Sequence, residues 1–224
     1  ITEKLFLLGA GDRVVGVTVY CVKPPEAKSK EKVGNVTHVN VEKIMRLKPD
    51  LVLATSLTDV RLVKKLRRAQ IRVETFSEPR SFEELNGQFV RLGVMVGKED
   101  EARRVIGQAE ARVRAVSDRV GDQRRPRVFC QIGAHPLFTA VGGTLLDDLI
   151  HRAGGINIAG AAKAGFYSRE EVIRQDPEVI MIVTMGMAAE KERGVWRRFK
   201  GVGAVRQGRI FILDAYRTCS PTPL

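Results

Sequence analysis

Hydrophobic positions along this chain follow two spacings, and the spacings alternate. From Asn40 to Ser56 the sequence NVEKIMRLKPDLVLATS sets apolar residues three and four apart, breaks at Pro49, and runs continuously apolar from Leu51 to Ala54. The first spacing predicts a helix capped by Asn40. The second predicts a strand buried on both faces in a parallel sheet. Ser168 to Thr184 (SREEVIRQDPEVIMIVT) repeats the unit 128 residues later: Asn40 faces Ser168, Glu42 faces Glu170, Ile44 faces Val172, Pro49 faces Pro177 and Asp50 faces Glu178. Ser168 with Glu171 completes a capping box. A supersecondary unit written twice predicts two similar lobes, and the groove between similar lobes is a common ligand site.

The flanking pattern extends both copies. Thr2–Leu8 is predicted helical, closed by Gly9 and Gly11, and the β-branched run Arg13–Tyr20 is predicted as a strand. Cys21–Val39 reads as a polar loop. Asp59–Ala69 is predicted as a helix and Ile71–Thr75 as a strand, which gives a parallel βα arrangement. Phe82–Val96 is predicted helical up to Gly97. Glu99–Val120 then carries apolar residues at Ala102, Val105, Ile106, Ala109, Val113, Val116 and Val120. That single stripe predicts a helix roughly 33 Å long, a strut whose own hydrogen bonds resist bending. The second half repeats the order: a strand at Arg127–Ile132, a helix at Thr144–Arg152 ended by Gly154-Gly155, the Ser168 helix, the strand Val179–Thr184, a helix through Trp196–Phe199 and a late strand at Arg209–Leu213.

Composition bounds the partners. The chain has 224 residues, 44% hydrophobic and 29% charged, enough for one large domain or two small ones. No run approaches the roughly 20 apolar residues of a membrane span. The chain opens at Ile1 directly on a helical pattern, so an upstream segment is expected. Lys+Arg number 38 against 26 Asp+Glu, a net charge of +12, which favours anionic partners. The basic residues are scattered without an aromatic-rich nucleic-acid module, so a solvated basic surface is expected and nucleic acid is not. Cys21, Cys130 and Cys219 contain no CxxC and leave at least one thiol free or paired to another molecule.

The patterns of an enzyme are missing. There is no GxSxG, HExxH or Walker motif. Gly9-x-Gly11 lacks the third glycine of a dinucleotide fingerprint, and neighbours such as Asp147 and Asp148 point about 100° apart on a helix. Three histidines without HxH or HxxxH spacing argue against a zinc or manganese site. No catalytic residue and no metal site are expected.

The runs LGAGDRVVGVTVYC with PPEAK, NVEKIMRLKPDLVLA, RVFCQIGAHPLFTA, GGTLLDDLIHRAGGINIA and YSREEVIRQDPEVIMI together resemble the substrate-binding proteins of ABC importers for cobalamin and ferric siderophores. The resemblance covers nearly the whole chain, and RVFCQIGAHPLFTA with SREEVI leans toward the cobalamin branch. It implies an α/β fold of two Rossmann-like lobes, residues 1–98 and 121–224, joined by one rigid helix over 99–120. It also implies a monomeric extracytoplasmic or lipid-anchored receptor that holds cobalamin or a ferric siderophore between the lobes, with little closure on binding, and delivers it to a membrane permease. No cofactor is implied. Haem or a bare metal ion on the same frame is the alternative ligand, and the positive charge favours haem propionates or anionic ferric chelates over near-neutral cobalamin.

Several residues are candidates for that ligand. Tyr20 ends the Arg13 strand, where open α/β sheets place ligands, and its phenol suits a flat chelate or a core edge equally. Thr55 and Ser56 follow the first buried strand; the family often has an aromatic residue nearby, and this chain has none. His135 and Phe138 lie in the loop after the Arg127 strand. His135 offers a metal an axial nitrogen or is a solvated hydrogen-bonder, as is His38. Arg217 offers a planar fork to a carboxylate or phosphate, or is a surface arginine. Gly142-Gly143 before Thr144 offers amides to a ligand or only a turn. By resemblance, Phe166 and Tyr167 fall where the family stacks ligands. Asp59 and Glu190, with Glu192 an equal candidate, fall where acids dock onto permease arginines, although acids in a first helical turn also answer the macrodipole.

Overall fold

The two copies of the repeated segment fold alike down to their caps. In the first, Asn40 accepts the Lys43 N–H at 2.9 Å and the helix ends at Lys48 with φ 44°. In the second, Ser168 accepts the Glu171 N–H at 3.0 Å and the helix ends at Asp176 with φ 42°. Lys48 and Asp176 are also 128 residues apart. Each precedes a proline, which disfavours a further helical residue and turns the chain into the strand. The computed structural model describes residues 1–35, 38–184 and 188–223. The chain divides into two compact units, Ile1–Glu78 with Asn86–Ile106, and Pro79–Leu85 with Gly107–Pro223.

The first unit runs α1 (Thr2–Leu7), β1 (Gly16–Val17), β2 (Glu31–Lys32), α2 (Val41–Leu47), β3 (Val52–Thr55), α3 (Val60–Arg68) and β4 (Val73–Phe76). Short 3-10 turns cover Gly11–Arg13 and Pro25–Ser29. The predicted strand Arg13–Tyr20 is therefore only two residues of ladder, because the 3-10 turn takes its start and a turn takes Val19 and Tyr20. β1 pairs β2 in parallel and β3 pairs β4 in parallel, as two separate sheets. Ile44, Ala54, Val63, Leu66 and Val73 form one core, and Leu8, Phe76, Phe89, Leu92 and Val105 another.

The expectation that β3 is buried on both faces needs correction. Val52 and Leu53 are half-buried, because β3 has a strand on one side only. It also lines a cavity of about 640 Å³ together with Leu5, Val17 and Val33. The repeat partner of β3 lies between two strands, and its Ile180 and Ile182 are fully buried.

Helix α4 (Phe82–Met95) and helix α5 (Glu99–Val120) follow. α5 is continuous over the predicted range. Ala102, Val105 and Ile106 enter the core of the first unit, while Ala109 and Val113 pack with Phe82, Leu85 and Leu145 in the second. The apolar stripe fades at Val116, which is exposed.

The second unit continues with β5 (Arg127–Ala134), β6 (Leu137–Thr139), α6 (Leu145–Arg152), β7 (Ile156–Asn157), α7 (Arg169–Gln175), β8 (Val179–Thr184), α8 (Ala188–Trp196), α9 (Gly203–Arg206), β9 (Ile210–Asp214) and α10 (Ala215–Cys219). The sheet order is β6-β5-β8-β9, with β7 also on β5; only β6 runs antiparallel. The β5–β6 hairpin, α9 and α10 lie beyond the predicted elements, and of the segment Trp196–Phe199 predicted as helical only Trp196 belongs to α8, with a turn at Arg197 and Arg198. Phe129, Val172, Ile180, Ile182 and Trp196 fill the main core. Gly142 is required by a close approach: a Cβ there would lie 2.1 Å from the Gly160 carbonyl oxygen.

Candidate ligand-binding ends of the two units

In a parallel α/β sheet the loops that follow the strands gather at their carboxyl ends, where ligands bind. In the first unit this end carries Thr55 and Ser56. Thr58 Oγ1 accepts the Thr55 N–H at 3.2 Å, which folds the turn, and leaves Ser56 and Leu57 exposed. Asp59 caps α3, accepting the Arg61 N–H at 2.7 Å, while its other oxygen lies 3.7 Å from the Arg61 guanidinium. Tyr20 sits in the turn after β1 and is 70% exposed, so it is not the core-edge tyrosine that was the alternative. Of the predicted residues only Thr55 lines the large cavity of this unit, together with Thr18 and Cys21.

In the second unit the structure brings four predicted residues together. His135 and Phe138 lie on the β5–β6 hairpin, and Phe138 bridges Phe166 backbone to backbone. Their rings meet edge to face, with centroids 5.4 Å apart. Gly165 makes room for this pair, since a Cβ there would meet the Phe138 ring at 2.3 Å. Phe166 is exposed, while Tyr167 turns inward against Phe129 at 6.0 Å. Burial, with the neighbouring Glu171 carboxylate, pushes the Tyr167 phenol upward. Arg217 lies apart from this group on α10; its backbone N–H is capped by Asp214 at 3.0 Å. Gly143 spends its N–H on Asp147 and its carbonyl on Arg80, so its backbone is committed within the unit. His38 gives its backbone N–H to the Asn35 side chain at 2.6 Å.

Sequence reasoning missed the polar group beneath these residues. Glu192 is buried and accepts from Arg169 at 2.5 Å and from Gln131 at 2.9 Å. Gln131 in turn accepts the Trp196 N–H at 2.6 Å, and the Arg169 guanidinium lies over the Trp196 ring. The exposed His135 ring stands 3.9 Å from the same carboxylate. The chain Trp196–Gln131–Glu192–Arg169 ties α8, β5 and α7 together. Glu192 is therefore not a surface acid, and the exposed acid of this helix is Glu190, paired with Arg193 at 2.6 Å. A polar residue inside β5, Gln131 in VFCQIG, was the available signal, because a buried amide needs partners. Among the described residues, no three His, Cys, Asp or Glu side chains converge as a metal site.

The periplasmic binding protein family matches residues 1–216. The chain belongs to that family. A vitamin B12-binding protein of Yersinia pestis (strain Pestoides F) is 31% identical over 184 residues, covering 81% of this chain and 65% of that protein. This chain thus spans less than two-thirds of the length of the curated relatives it matches. The periplasmic vitamin B12 binding protein BtuF of Vibrio cholerae superposes with a TM-score of 0.82 at 26% identity, over 99% of this chain and 87% of that one. The periplasmic heme-binding protein RhuT from Roseiflexus sp. RS-1, in its apo form, superposes with a TM-score of 0.81 at 27% identity, over 99% and 89%. As in these periplasmic binding proteins, the fold is α/β.

Proposed function

We propose that this chain captures a metal chelate outside the cytoplasm and hands it to an ABC importer, with no bond made or broken. One observation carries the reading furthest: the exposed Phe138–Phe166 pair stands at the carboxyl end of the β5 sheet, in a chain 31% identical to a vitamin B12-binding protein. An aromatic face on a rigid strand end suits a flat metal macrocycle. Tyr20, Thr55, Ser56, His135, Tyr167 and Arg217 are the remaining proposed contacts. Asp59 and Glu190 are the proposed permease contacts, and α5 is the connector. Cobalamin is the first ligand in this reading and a ferric siderophore the second. Haem is a separate alternative, favoured by the net charge of +12 and by the similarity to a heme-binding protein.

Equilibrium dialysis against cyanocobalamin, haemin and a ferric catecholate, read by absorbance, tests this. One of the three is expected to bind at roughly micromolar affinity or tighter. Phe166→Ala is expected to weaken it about tenfold, the loss of one good ring contact. Folded protein that retains none of the chelates overturns the reading. Trp196 is a poor reporter for such a titration, being fully buried and bonded to Gln131.

A further inference from the structure

The buried carboxylate of Glu192 has one oxygen to spare. Its Oε2 accepts from Arg169 at 2.5 Å and from Gln131 at 2.9 Å. Its Oε1 faces the His135 ring, with Nε2 at 3.9 Å. The Glu192 side chain is 3% exposed and the His135 side chain 81%. Among the described residues, neither Glu192 Oε1 nor His135 Nδ1 makes a hydrogen bond.

The fold does not need this second contact. Arg169 already neutralises the carboxylate, and an ion pair to a side chain as exposed as His135 adds little stability. The surroundings are nevertheless built to present the ring. His135 and Pro136 are the two residues between β5 and β6, and Ala134 pairs with Leu137 across the turn, so the backbone of His135 is fixed. The carboxylate is fixed as well, by Gln131 on β5 and Arg169 on α7. Only the imidazole is free to turn. Its gap to Oε1 exceeds hydrogen-bond length by about 1 Å, which a small rotation of the exposed ring closes.

An imidazole that donates Nε2–H to a carboxylate keeps the Nδ1 lone pair for a metal. The carboxylate then fixes the tautomer, orients the ring and strengthens it as a ligand. We propose that Glu192 is a positioning residue that holds His135 by its Nε2–H, so that Nδ1 ligates the metal of a chelate with an exchangeable axial place. This role rests on the receptor reading and narrows its ligands. Haemin and aquocobalamin have such a place. Cyanocobalamin, with both axial places filled, and a six-coordinate ferric catecholate do not. The Nδ1 lone pair forms the new metal bond, and the displaced water or chloride leaves with its own pair, so no electron is transferred.

Absorbance spectra of the chain dialysed against haemin, aquocobalamin, cyanocobalamin or a ferric catecholate test the proposal. Haemin or aquocobalamin is expected to be retained, with its bands moved to those of its imidazole adduct. His135→Ala is expected to abolish the shift and to weaken binding at least about tenfold. Glu192→Gln is expected to weaken binding about tenfold in the unaltered chain, and less than about twofold in the His135→Ala background, where nothing remains to be positioned. Equal loss in the two backgrounds means that Glu192 acts through the fold, and overturns its role. Bands that His135→Ala leaves unmoved overturn the ligation. Circular dichroism checks that the variants fold. Glu192→Asp keeps the charge for Arg169 while drawing the carboxylate back from His135, and it gives the same comparison where Glu192→Gln does not fold. Retention of cyanocobalamin or the ferric catecholate, with neither haemin nor aquocobalamin, removes this inference and leaves the receptor reading. Retention of none of the four removes the receptor reading as well.

Discussion

Single side chains in this protein carry measurable consequences of their burial. Cys130 sits in β5 fully buried, and desolvation pushes its thiol up to about 12. Cys21 is half-buried beside the hydroxyls of Thr2 and Thr18, and Cys219 is exposed on α10. A thiolate is the reactive form, so an aromatic disulfide reagent at pH 8 is expected to titrate two thiols in the folded protein and three after denaturation. Three thiols in the native state would place Cys130 at the surface. Lys4 shows the same physics in a cation: it is 5% exposed in α1, and burial lowers its ammonium to about 8. Below pH 8 it is charged in both states, and the fold carries the full cost of burying that charge. Between pH 8 and the ordinary lysine range the folded state has released a proton that the unfolded chain still holds, so stability rises with pH and then levels off. The shift corresponds to about 3 kcal/mol at most. Lys4→Met is therefore expected to raise the urea midpoint at pH 7 and to gain little at pH 10; an equal gain at both would mean that Lys4 is solvated.

At the scale of elements, the duplicated helix–strand units were legible because their signals are local. Asn40 and Ser168 are capping residues, Pro49 and Pro177 stop helices, and the runs after them are apolar; each acts within a few residues of itself. Replacing either cap by Ala is expected to cost about 1 kcal/mol in denaturant melts, the two losses adding because the caps belong to different units. What the sequence did not show was pairing at a distance. The Arg13–Tyr20 run has good strand residues, yet only Gly16 and Val17 find a ladder, since a strand is fixed by its neighbour rather than by its own propensity. The same reason hid the Glu192 network. Its partners Gln131 and Arg169 are 61 and 23 residues away, on different elements, and at sequence level Glu192 resembles any surface acid of a helix. Glu192→Ala would leave the part-buried Arg169 cation without its carboxylate and Gln131 without its acceptor. The expected loss is about 3 kcal/mol or more, with a shift in Trp196 emission because its Gln131 contact loosens. A loss below 1 kcal/mol would mean that water already reaches this site.

For the whole molecule, the α/β fold and its family were readable because a repeated unit and its loop motifs fix them together. The ligand was not readable, because discrimination among flat chelates rests on a few exposed side chains whose chemistry overlaps. In the proposed site Phe138 and Phe166 would accept any ring, and His135 would accept either a metal or water. The charge distribution separates the candidates better than the aromatics do. A net charge of +12 acts over a Debye length of about 10 Å at 0.1 M salt, and it acts only on charged ligands. Haem brings two propionates and a ferric catecholate brings a net negative charge, while cyanocobalamin is near neutral. If the bound chelate is anionic, its association rate is expected to fall severalfold between 20 and 200 mM NaCl, with dissociation little changed. If it is cobalamin, the rate is expected to stay flat over that range. Stopped-flow measurements at the two salt concentrations decide between them, with Arg217→Ala as the local control. This arginine sits near the end of β9, and if its fork holds a ligand carboxylate, its loss raises the dissociation rate without removing the salt effect on association. A steep salt effect with a neutral chelate would mean that the field acts through the protein itself, and the electrostatic account of ligand choice would fail.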